Sequence, residues 1–328
     1  MRFGIIPTEG GAMFREALAE VELAEELGFD SVWMEEHHGV TNHYWPSPLV
    51  VLTAFGARTS RILLGTDVIV TPFYHPVRLA EDVAVIEALT GGRLILGAAI
   101  GYRPDEFALY DAEFERRGGQ LEELIGLLRA LWAGESVDHD GRFYRVRGRI
   151  EPVPATPPQI WIGGWGPLTI RRAAELADAW VPGPTAAMPK LLELRTAYDE
   201  ALVGAGRDLA SVPRPITREV IVAPTDAAAR ELAERHLMVN YRDEYGGGTW
   251  KHPLIGAQDE TRVDVFEEIG RDRFIVGSPA TCIDRIRRFQ EQLGIDHLIC
   301  RLFFPGMPHD HIMSEIRLLA EEVIPAFR

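Results

Sequence analysis

Two carboxylates and two histidines stand side by side in Glu35-Glu36-His37-His38, directly after an apolar run that ends in Trp33-Met34. Histidine titrates near neutral pH and can take or give a proton, so the pair is a candidate acid–base site. The apolar run is typical of a buried strand, and in (β/α)8 barrels the catalytic groups lie where strands end. The segment therefore predicts one edge of an active site.

The same side chains could also bind a metal ion, since Glu35, Glu36, His37, His38 and His43 are all possible ligands. In an extended segment, however, neighbouring side chains point to opposite faces, so the two adjacent histidines cannot both reach one ion. The first apolar run carries no His-x-His motif, which a metal-dependent barrel hydrolase would be expected to have. We therefore expect no metal at this site.

The composition limits what the chain can bind. Its 328 residues are 46% hydrophobic and carry a formal net charge of −15 that is spread along the chain, which opposes general binding to nucleic acid or anionic membranes. No apolar run approaches the roughly 20 residues that cross a bilayer, and the N-terminus has no signal pattern, so a cytoplasmic location is expected. The two cysteines, Cys282 and Cys300, form neither a zinc motif nor a disulfide framework.

Short apolar runs alternate with segments of helical periodicity along the whole chain, which is the repeat of a parallel α/β sheet. Eight strands are predicted, over Phe3 to Pro7, Ser31 to Glu35, Ile62 to Val70, Leu94 to Ala99, Gln159 to Ile162, Ala179 to Val181, Thr217 to Val222 and His297 to Phe303. Eight strands close a (β/α)8 TIM barrel, and we expect one domain over residues 1–328. An open doubly wound sheet is the alternative, but the first turn, Thr8-Glu9-Gly10-Gly11, lacks the glycine spacing of its phosphate loop.

Capping residues define several helices and two long connections. We expect helices from Phe14 to Leu27, from Pro76 to the residue before Gly91, after Ser278-Pro279, and from His309 to Ile324. Residues 138–158 predict a hairpin followed by a proline-rich connector. Residues 223–277 predict an insertion after the seventh strand, at the barrel face where long loops commonly shape the active site.

Three further blocks complete a recognisable pattern: Leu64-Gly65-Thr66-Asp67-Val68-Ile69-Val70, His75-Pro76-Val77-Arg78-Leu79-Ala80-Glu81-Asp82, and Gly91-Gly92-Arg93 through Ile100-Gly101-Tyr102. With the Glu-His-His step, these blocks resemble the bacterial luciferase-like family of flavin-dependent monooxygenases over nearly the whole chain. The resemblance implies a barrel that holds reduced FMN at the C-terminal ends of its strands, usually in a homodimer. It also implies acid–base work beside the flavin for His37, with His38 and Glu36 as supporting residues and His75 at the start of a helix.

The resemblance implies two groups of cofactor-binding residues. Thr66, Asp67 and Val68 stand where this family often has a non-proline cis peptide against the flavin ring. Ala99, Gly101 and Tyr102 end the fourth strand, where small residues let a planar ring approach. Luciferase itself has a reactive cysteine and an arginine at the positions of Ala99 and Ile100. That difference argues against light emission and removes one expected charge partner of the phosphate.

The cofactor phosphate needs a site of its own in so acidic a chain. The turn Gly163-Gly164-Trp165-Gly166 leads into a helix, and backbone N–H groups at a helix N-terminus bind anions without a lysine. Its assignment to the phosphate rests on the resemblance. Aromatic residues concentrate on the predicted strand-end loops and suggest a substrate pocket for a neutral organic molecule, lined by Tyr44, Trp45, Tyr74 and Trp250.

The sequence leads first to a two-component monooxygenase that receives reduced FMN from a separate NAD(P)H-dependent reductase and uses dioxygen to oxygenate a small organic substrate. A deazaflavin-dependent oxidoreductase that transfers hydride is the alternative within the same family. The step after strand 2 in that branch more often reads Asp-His than Glu-His-His, which favours FMN. A non-catalytic flavin-binding protein is the third possibility, although its relatives tend to have lost barrel units.

Overall fold

The computed structural model describes residues 1–40, 44–245, 254–255 and 264–328. Most of its strands form one parallel sheet, and β6 and β7 form a separate antiparallel hairpin. The strands are β1 (Arg2–Ile6), β2 (Ser31–Met34), β3 (Leu63–Thr66), β4 (Ile69–Val70), β5 (Leu94–Ala99), β6 (Val137–Asp140), β7 (Arg145–Gly148), β8 (Gln159–Gly163), β9 (Ala179–Val181), β10 (Pro215–Val222), β11 (Ile275–Gly277) and β12 (His297–Arg301).

The parallel sheet curls into the expected barrel. Its strands follow the order β11-β10-β12-β1-β2-β3-β5-β8-β9, with β4 paired to β5. The path closes between β9 at one end and β10, the strand next to the other end, because the N–H of Thr217 in β10 donates to the carbonyl of Pro182 just after β9, at 3.2 Å. All eight predicted strands are present, the third of them divided into β3 and β4. The open doubly wound alternative is wrong because the sheet returns on itself.

Helices surround the barrel, and those expected at Phe14, Pro76, Pro279 and His309 begin at these residues. They are α1 (Phe14–Glu26), α2 (Pro48–Arg58), α3 (Pro76–Thr90), α4 (Pro104–Leu109), α5 (Arg117–Trp132), α6 (Pro167–Leu176), α7 (Met188–Gly204), α8 (Asp226–Leu232), α9 (Phe266–Gly270), α10 (Pro279–Leu293) and α11 (His309–Leu318). His75 caps α3 by accepting from the N–H of Val77 at 3.3 Å, and the helix stops at Gly91, whose φ of 74° suits glycine.

Apolar side chains fill two layers, one between the barrel and the helices and one inside the barrel. Inside, the rings of Trp33 and Trp161 stack at 4.9 Å, and the neutral ring of His297 accepts or donates a hydrogen bond with Ser31 at 2.7 Å. Burial lowers the pKa of His297 to about 3. These rings close the lower part of the barrel, so the open space lies above them, at the C-terminal ends of the strands.

The connection from β10 to α10 is only partly described. It contains α8, a π-helical turn over Ala233–Leu237, α9 and the short strand β11, which pairs with β10. That residues 223–277 are an insertion stays a prediction, as does the single domain. Within the described ranges, no helix combines the length and the apolar character that crossing a membrane requires.

Candidate active site

His37 stands at the end of β2 with each ring nitrogen facing a different partner. Its Nδ1 lies 2.9 Å from Oε1 of Glu106, a carboxylate in the first turn of α4 whose side chain is 1% exposed. That carboxylate also accepts a hydrogen bond from the backbone N–H of His38 at 3.0 Å, so Glu106 is fixed relative to both the His37 ring and the adjacent backbone. Because Glu106 accepts from Nδ1–H, the lone pair of a neutral His37 lies on Nε2, 3.4 Å from the hydroxyl of Tyr102.

His38 turns the other way and braces the loop. Its Nε2 lies 2.9 Å from Glu36, and its Nδ1 lies 3.1 Å from the Tyr110 hydroxyl. Glu36 also accepts from the N–H of Val70 at 2.7 Å and from the hydroxyl of Tyr74 at 3.0 Å, and burial raises its pKa. This network ties the end of β2 to β4, which supports the structural role expected for His38 and Glu36.

A third set of contacts fixes an aromatic ring against His37. Tyr44 packs edge-on to the imidazole, with ring centroids 4.6 Å apart. Arg301, at the end of β12, donates from Nη2 to the Tyr44 hydroxyl at 2.6 Å and pairs through Nε with Glu35 at 3.1 Å. The ends of β2 and β12 thus hold the Tyr44 ring in place beside the catalytic candidate.

Asp67 and Val68 follow β3, and the peptide bond between them is cis. The Asp67 N–H donates to the carbonyl of Met34 at 2.8 Å, while its carboxylate accepts from the Thr217 hydroxyl across the barrel at 2.5 Å. Burial, with the nearby Glu35 carboxylate, raises the pKa of Asp67 to about 7. Glu9, which accepts the N–H of Glu35 at 3.0 Å, has a pKa raised well above its usual range by burial.

These groups surround one cavity of about 260 Å³ at the C-terminal ends of the barrel strands. Its lining is Glu35, Glu36, His37, Tyr44, Asp67, Val68, Val70, Ala99, Ile100, Gly101, Tyr102, Glu106, Arg117, Gly163, Gly164, Trp165, Gly166, Thr169, Val181, Gly183, Pro184 and Thr185. A mostly apolar cleft with a few convergent polar groups is the usual form of a small-molecule site.

One wall of the cavity suits a planar ring. The missing side chain of Gly163 leaves its α-carbon facing Val68, and a Cβ there would lie 3.1 Å from Val68 Cγ1. At Gly101, with φ of 74°, a Cβ would lie 2.7 Å from Val70. Glycine at these two positions lets Val68 and Val70 stay where they line the cavity, and this apolar wall fits a ring of flavin type.

The far end of the cavity suits a phosphate. Gly164 and Gly166 precede α6, and the Thr169 hydroxyl lies in its first turn. Arg117, at the start of α5, lines the same cavity with an Nε that has no hydrogen-bond partner, while its Nη1 donates to the carbonyl of Phe114 at 2.5 Å. A guanidinium with an unused donor beside open backbone N–H groups can bind an anion.

The structure brings most of the predicted site residues together. His37, Tyr44 and the predicted cofactor residues line the cavity, with the exception of Thr66, whose buried hydroxyl donates to the Gly97 carbonyl at 2.7 Å. Tyr74 and Trp45 are directed elsewhere, to Glu36 and to the carbonyl of Gly11. Trp250 lies outside the described residues. The binding roles themselves stay predictions.

Sequence reasoning missed four polar residues that complete the site: Glu106, Arg117, Thr217 and Arg301. A signal existed for Glu106, because Pro104-Asp105-Glu106 opens a helix directly after the Tyr102 strand end. The other three are distant in sequence from the Glu-His-His step. Only barrel closure brings them to it.

Comparison with known proteins agrees with this architecture. The family model described as luciferase-like monooxygenase matches residues 1–297. A curated relative, the F420-dependent glucose-6-phosphate dehydrogenase of Microbacterium testaceum (strain StLB037), is 31% identical over 327 residues, covering 93% of this chain and 91% of the relative.

Solved structures share the fold. The monooxygenase RslO1 from Streptomyces bottropensis superposes with a TM-score of 0.87 at 24% identity, covering 100% of both chains. An F420-dependent secondary alcohol dehydrogenase, solved with an F420-acetone adduct, gives a TM-score of 0.81 at 19% identity and covers 100% of this chain and 99% of its own. At these identities the two structures support the barrel alone. By the match of the family model over most of its length, the chain belongs to the luciferase-like monooxygenase family and is an oxidoreductase of that family.

Proposed function

We propose that this protein is a deazaflavin-dependent oxidoreductase that exchanges a hydride between the cofactor and an alcohol or carbonyl carbon of a small substrate. The observation that carries the proposal is the histidine His37, bonded through Nδ1 to the buried Glu106 carboxylate and lining the cavity beside the flat wall at Val68. A carboxylate-held imidazole is well suited to moving one proton in step with a hydride.

The chemistry balances with one base. A bound deazaflavin supplies the hydride acceptor at its ring when the substrate is oxidised. The substrate carbon loses that hydride, its hydroxyl loses a proton to Nε2 of His37, and the C–O single bond becomes a carbonyl. The Glu106 carboxylate accepts the hydrogen bond from Nδ1–H of His37 throughout and stabilises the imidazolium that forms.

The choice of deazaflavin over FMN rests on the curated relatives, since the one at 31% identity carries F420 in its name. The sequence favoured FMN because the step after strand 2 has two histidines, and the contacts of the second histidine weaken that argument. Because His38 turns to Glu36 and Tyr110, the cavity receives one carboxylate-supported histidine, the same chemistry that an Asp-His step offers. Dioxygen and a partner flavin reductase are then not required.

The chain's own residues would hold the cofactor in two places. Val68 and Gly163 form the wall against its ring, and the N-terminus of α6 with Arg117 forms the site for its phosphate. Tyr102 and Trp165 line the space between these ends. We further propose the homodimer that is usual in the family.

The test is anaerobic turnover. Purified protein with oxidised deazaflavin is mixed, without dioxygen, with a panel of primary, secondary and amino alcohols, and cofactor reduction is followed optically. We expect reduction with at least one alcohol, and none for His37→Ala. A protein that oxidises substrate only with reduced FMN and dioxygen, accumulating a flavin hydroperoxide absorbance, would overturn the proposal in favour of a monooxygenase.

A further inference from the structure

Asp67 differs from every other carboxyl group that lines the cavity. Glu35 is paired with Arg301 at 3.1 Å, Glu36 with His38 at 2.9 Å, and Glu106 with His37 at 2.9 Å. Asp67 has none of these: within the described ranges its carboxylate receives only the neutral Thr217 hydroxyl.

The position of this carboxylate is fixed from both sides. Its backbone N–H is bonded to Met34 on β2, and its Oδ2 reaches Thr217 on β10, a residue that is itself fully buried. Asp67 is nevertheless only half-buried, and it lines the cavity. The Asp67 carboxylate bonds across the barrel to Thr217. The side chain of the next residue, Val68, packs against Gly163, where the cofactor is proposed to lie.

The charges around Asp67 are mainly negative. Glu9 and Glu35 lie close enough to influence its titration, and Arg301 is the cation that opposes them. Arg301 already contacts Glu35 and Tyr44, so its charge is shared. A second carboxylate beside Asp67 therefore raises the free energy of its ionised form, and a cation from outside would lower it.

The described cavity offers an anionic substrate no cationic side chain near Asp67. Its only arginine is Arg117, at the proposed phosphate end. Of the two lysines in the chain, Lys190 is paired with Glu193 on the surface at 2.6 Å, and Lys251 lies outside the described residues. Aromatic faces do line the space, from Tyr44 to Tyr102, and aromatic faces attract ammonium groups.

From this geometry we infer that Asp67 is a specificity-determining residue that binds an ammonium group of the substrate, so that the preferred substrate is an amine-bearing molecule. The inference deepens the proposed function and rests on it for the placement of the cofactor against Val68 and Gly163. It separates this chain from relatives whose names specify a sugar phosphate as substrate.

The pH dependence of binding supplies a signature. Burial raises the pKa of Asp67 to about 7, whereas an alkylammonium stays charged well above that pH. Raising the pH from 6 to 8 converts Asp67 from mostly protonated to mostly ionised, so amine affinity should rise by about tenfold. Thr217→Val removes the donor that favours the ionised form and should move this rise to higher pH.

The experiment uses two probes of the same shape, cyclohexylamine and cyclohexanol, with glucose 6-phosphate as the anionic probe. Protein loaded with reduced deazaflavin cannot oxidise either ring compound, so equilibrium binding is measured by ligand-observed NMR at pH 6 and pH 8. We expect the amine to bind at least tenfold more tightly than the alcohol at pH 8, and Asp67→Asn and Asp67→Ser to abolish the difference.

Equal binding of amine and alcohol to the wild-type protein would overturn the inference, as would tighter binding of glucose 6-phosphate or an amine preference that survives in both Asp67 variants. Cofactor loading is measured first and separately. If the protein loads FMN and rejects deazaflavin, the proposed function fails, and the same titration on the FMN-loaded protein still decides the role of Asp67.

Discussion

At the scale of single residues, the two histidines of the Glu-His-His step have different surroundings. His37 lines the cavity and His38 is buried against Tyr110, although the two are adjacent in sequence. The sequence predicted that the two side chains point to opposite faces, because neighbouring side chains alternate in an extended segment. The carboxylate that bonds to His37 could not be predicted, because it belongs to Glu106 and not to the adjacent Glu35 or Glu36.

Glu106→Gln tests the proton-handling pair. The amide still fills the space but no longer stabilises an imidazolium, so we expect kcat for cofactor reduction to fall by about 10²- to 10³-fold with KM nearly unchanged. Steady-state kinetics across pH 5–9 would measure the effect. His38→Asn is the matched control, expected to cost about 1–3 kcal/mol of unfolding free energy and less than tenfold in kcat. Equal losses of kcat in the two variants would contradict the assignment.

Asp67 predicts a pH effect on stability whose sign follows from its raised pKa of about 7 against an ordinary 3.8. Between these values the folded chain holds a proton that the unfolded chain has lost, so its contribution to the unfolding free energy falls as pH rises from about 4 to 7. Asp67→Asn removes that dependence. We expect the variant to gain on the order of 1–3 kcal/mol relative to wild type between pH 5 and pH 8, measured by urea unfolding. A constant difference across this range would contradict it.

At the scale of strands and helices, the sequence predicted the eight barrel strands, the hairpin and several of the helices. Strand positions followed from apolar runs, and helix ends followed from residues such as Pro76, Gly91 and Pro279, because these signals are local. The short strand β11 escaped prediction, since three residues carry too little periodicity. Arg301 and Thr217 escaped as site residues because their role depends on which strands become neighbours across the barrel.

The glycine wall makes a prediction about cofactor binding. In Gly163→Ala the new Cβ would lie 3.1 Å from Val68 Cγ1, so the Val68 side chain that forms the proposed wall against the ring would have to shift. We expect deazaflavin affinity to fall by about tenfold or more, measured by fluorescence titration. Gly126→Ala, on the exposed face of α5 with no atom near its Cβ, is the control and should leave affinity unchanged while stabilising the fold by about 0.5–1 kcal/mol. Unchanged affinity in Gly163→Ala would place the ring elsewhere.

The interior of the barrel makes a prediction about stability. Gly65 on β3 lies directly against the ring of Trp33, which stacks on Trp161, and a Cβ at Gly65 would overlap that ring. Because both rings are fully buried with no room to move, Gly65→Ala should lower the unfolding free energy by about 1–3 kcal/mol. Chemical denaturation measures this. A variant as stable as wild type would show that the interior packing is looser than described.

At the scale of the whole molecule, the chain is acidic and its described cavity has few cationic side chains. The chain carries a net charge of −15, and the cavity is lined by four carboxylates and, among the described residues, by one arginine, Arg117. In the proposed function the cofactor phosphate is therefore bound by backbone N–H groups at α6 and by Arg117. Composition alone predicted the need for a local anion site. It could not predict that Asp67 would have no cationic partner among the described residues, because that depends on the contacts that Arg301 makes with Glu35 and Tyr44.

The central claim is that this barrel works with a deazaflavin. Competition at equilibrium tests it most directly: the protein is titrated with deazaflavin F420 and with reduced FMN under anaerobic conditions, each in the presence of the other, and bound fractions are measured after ultrafiltration. We expect F420 to bind at least tenfold more tightly than reduced FMN, which corresponds to about 1.4 kcal/mol. Tighter binding of reduced FMN would contradict the account and restore the monooxygenase.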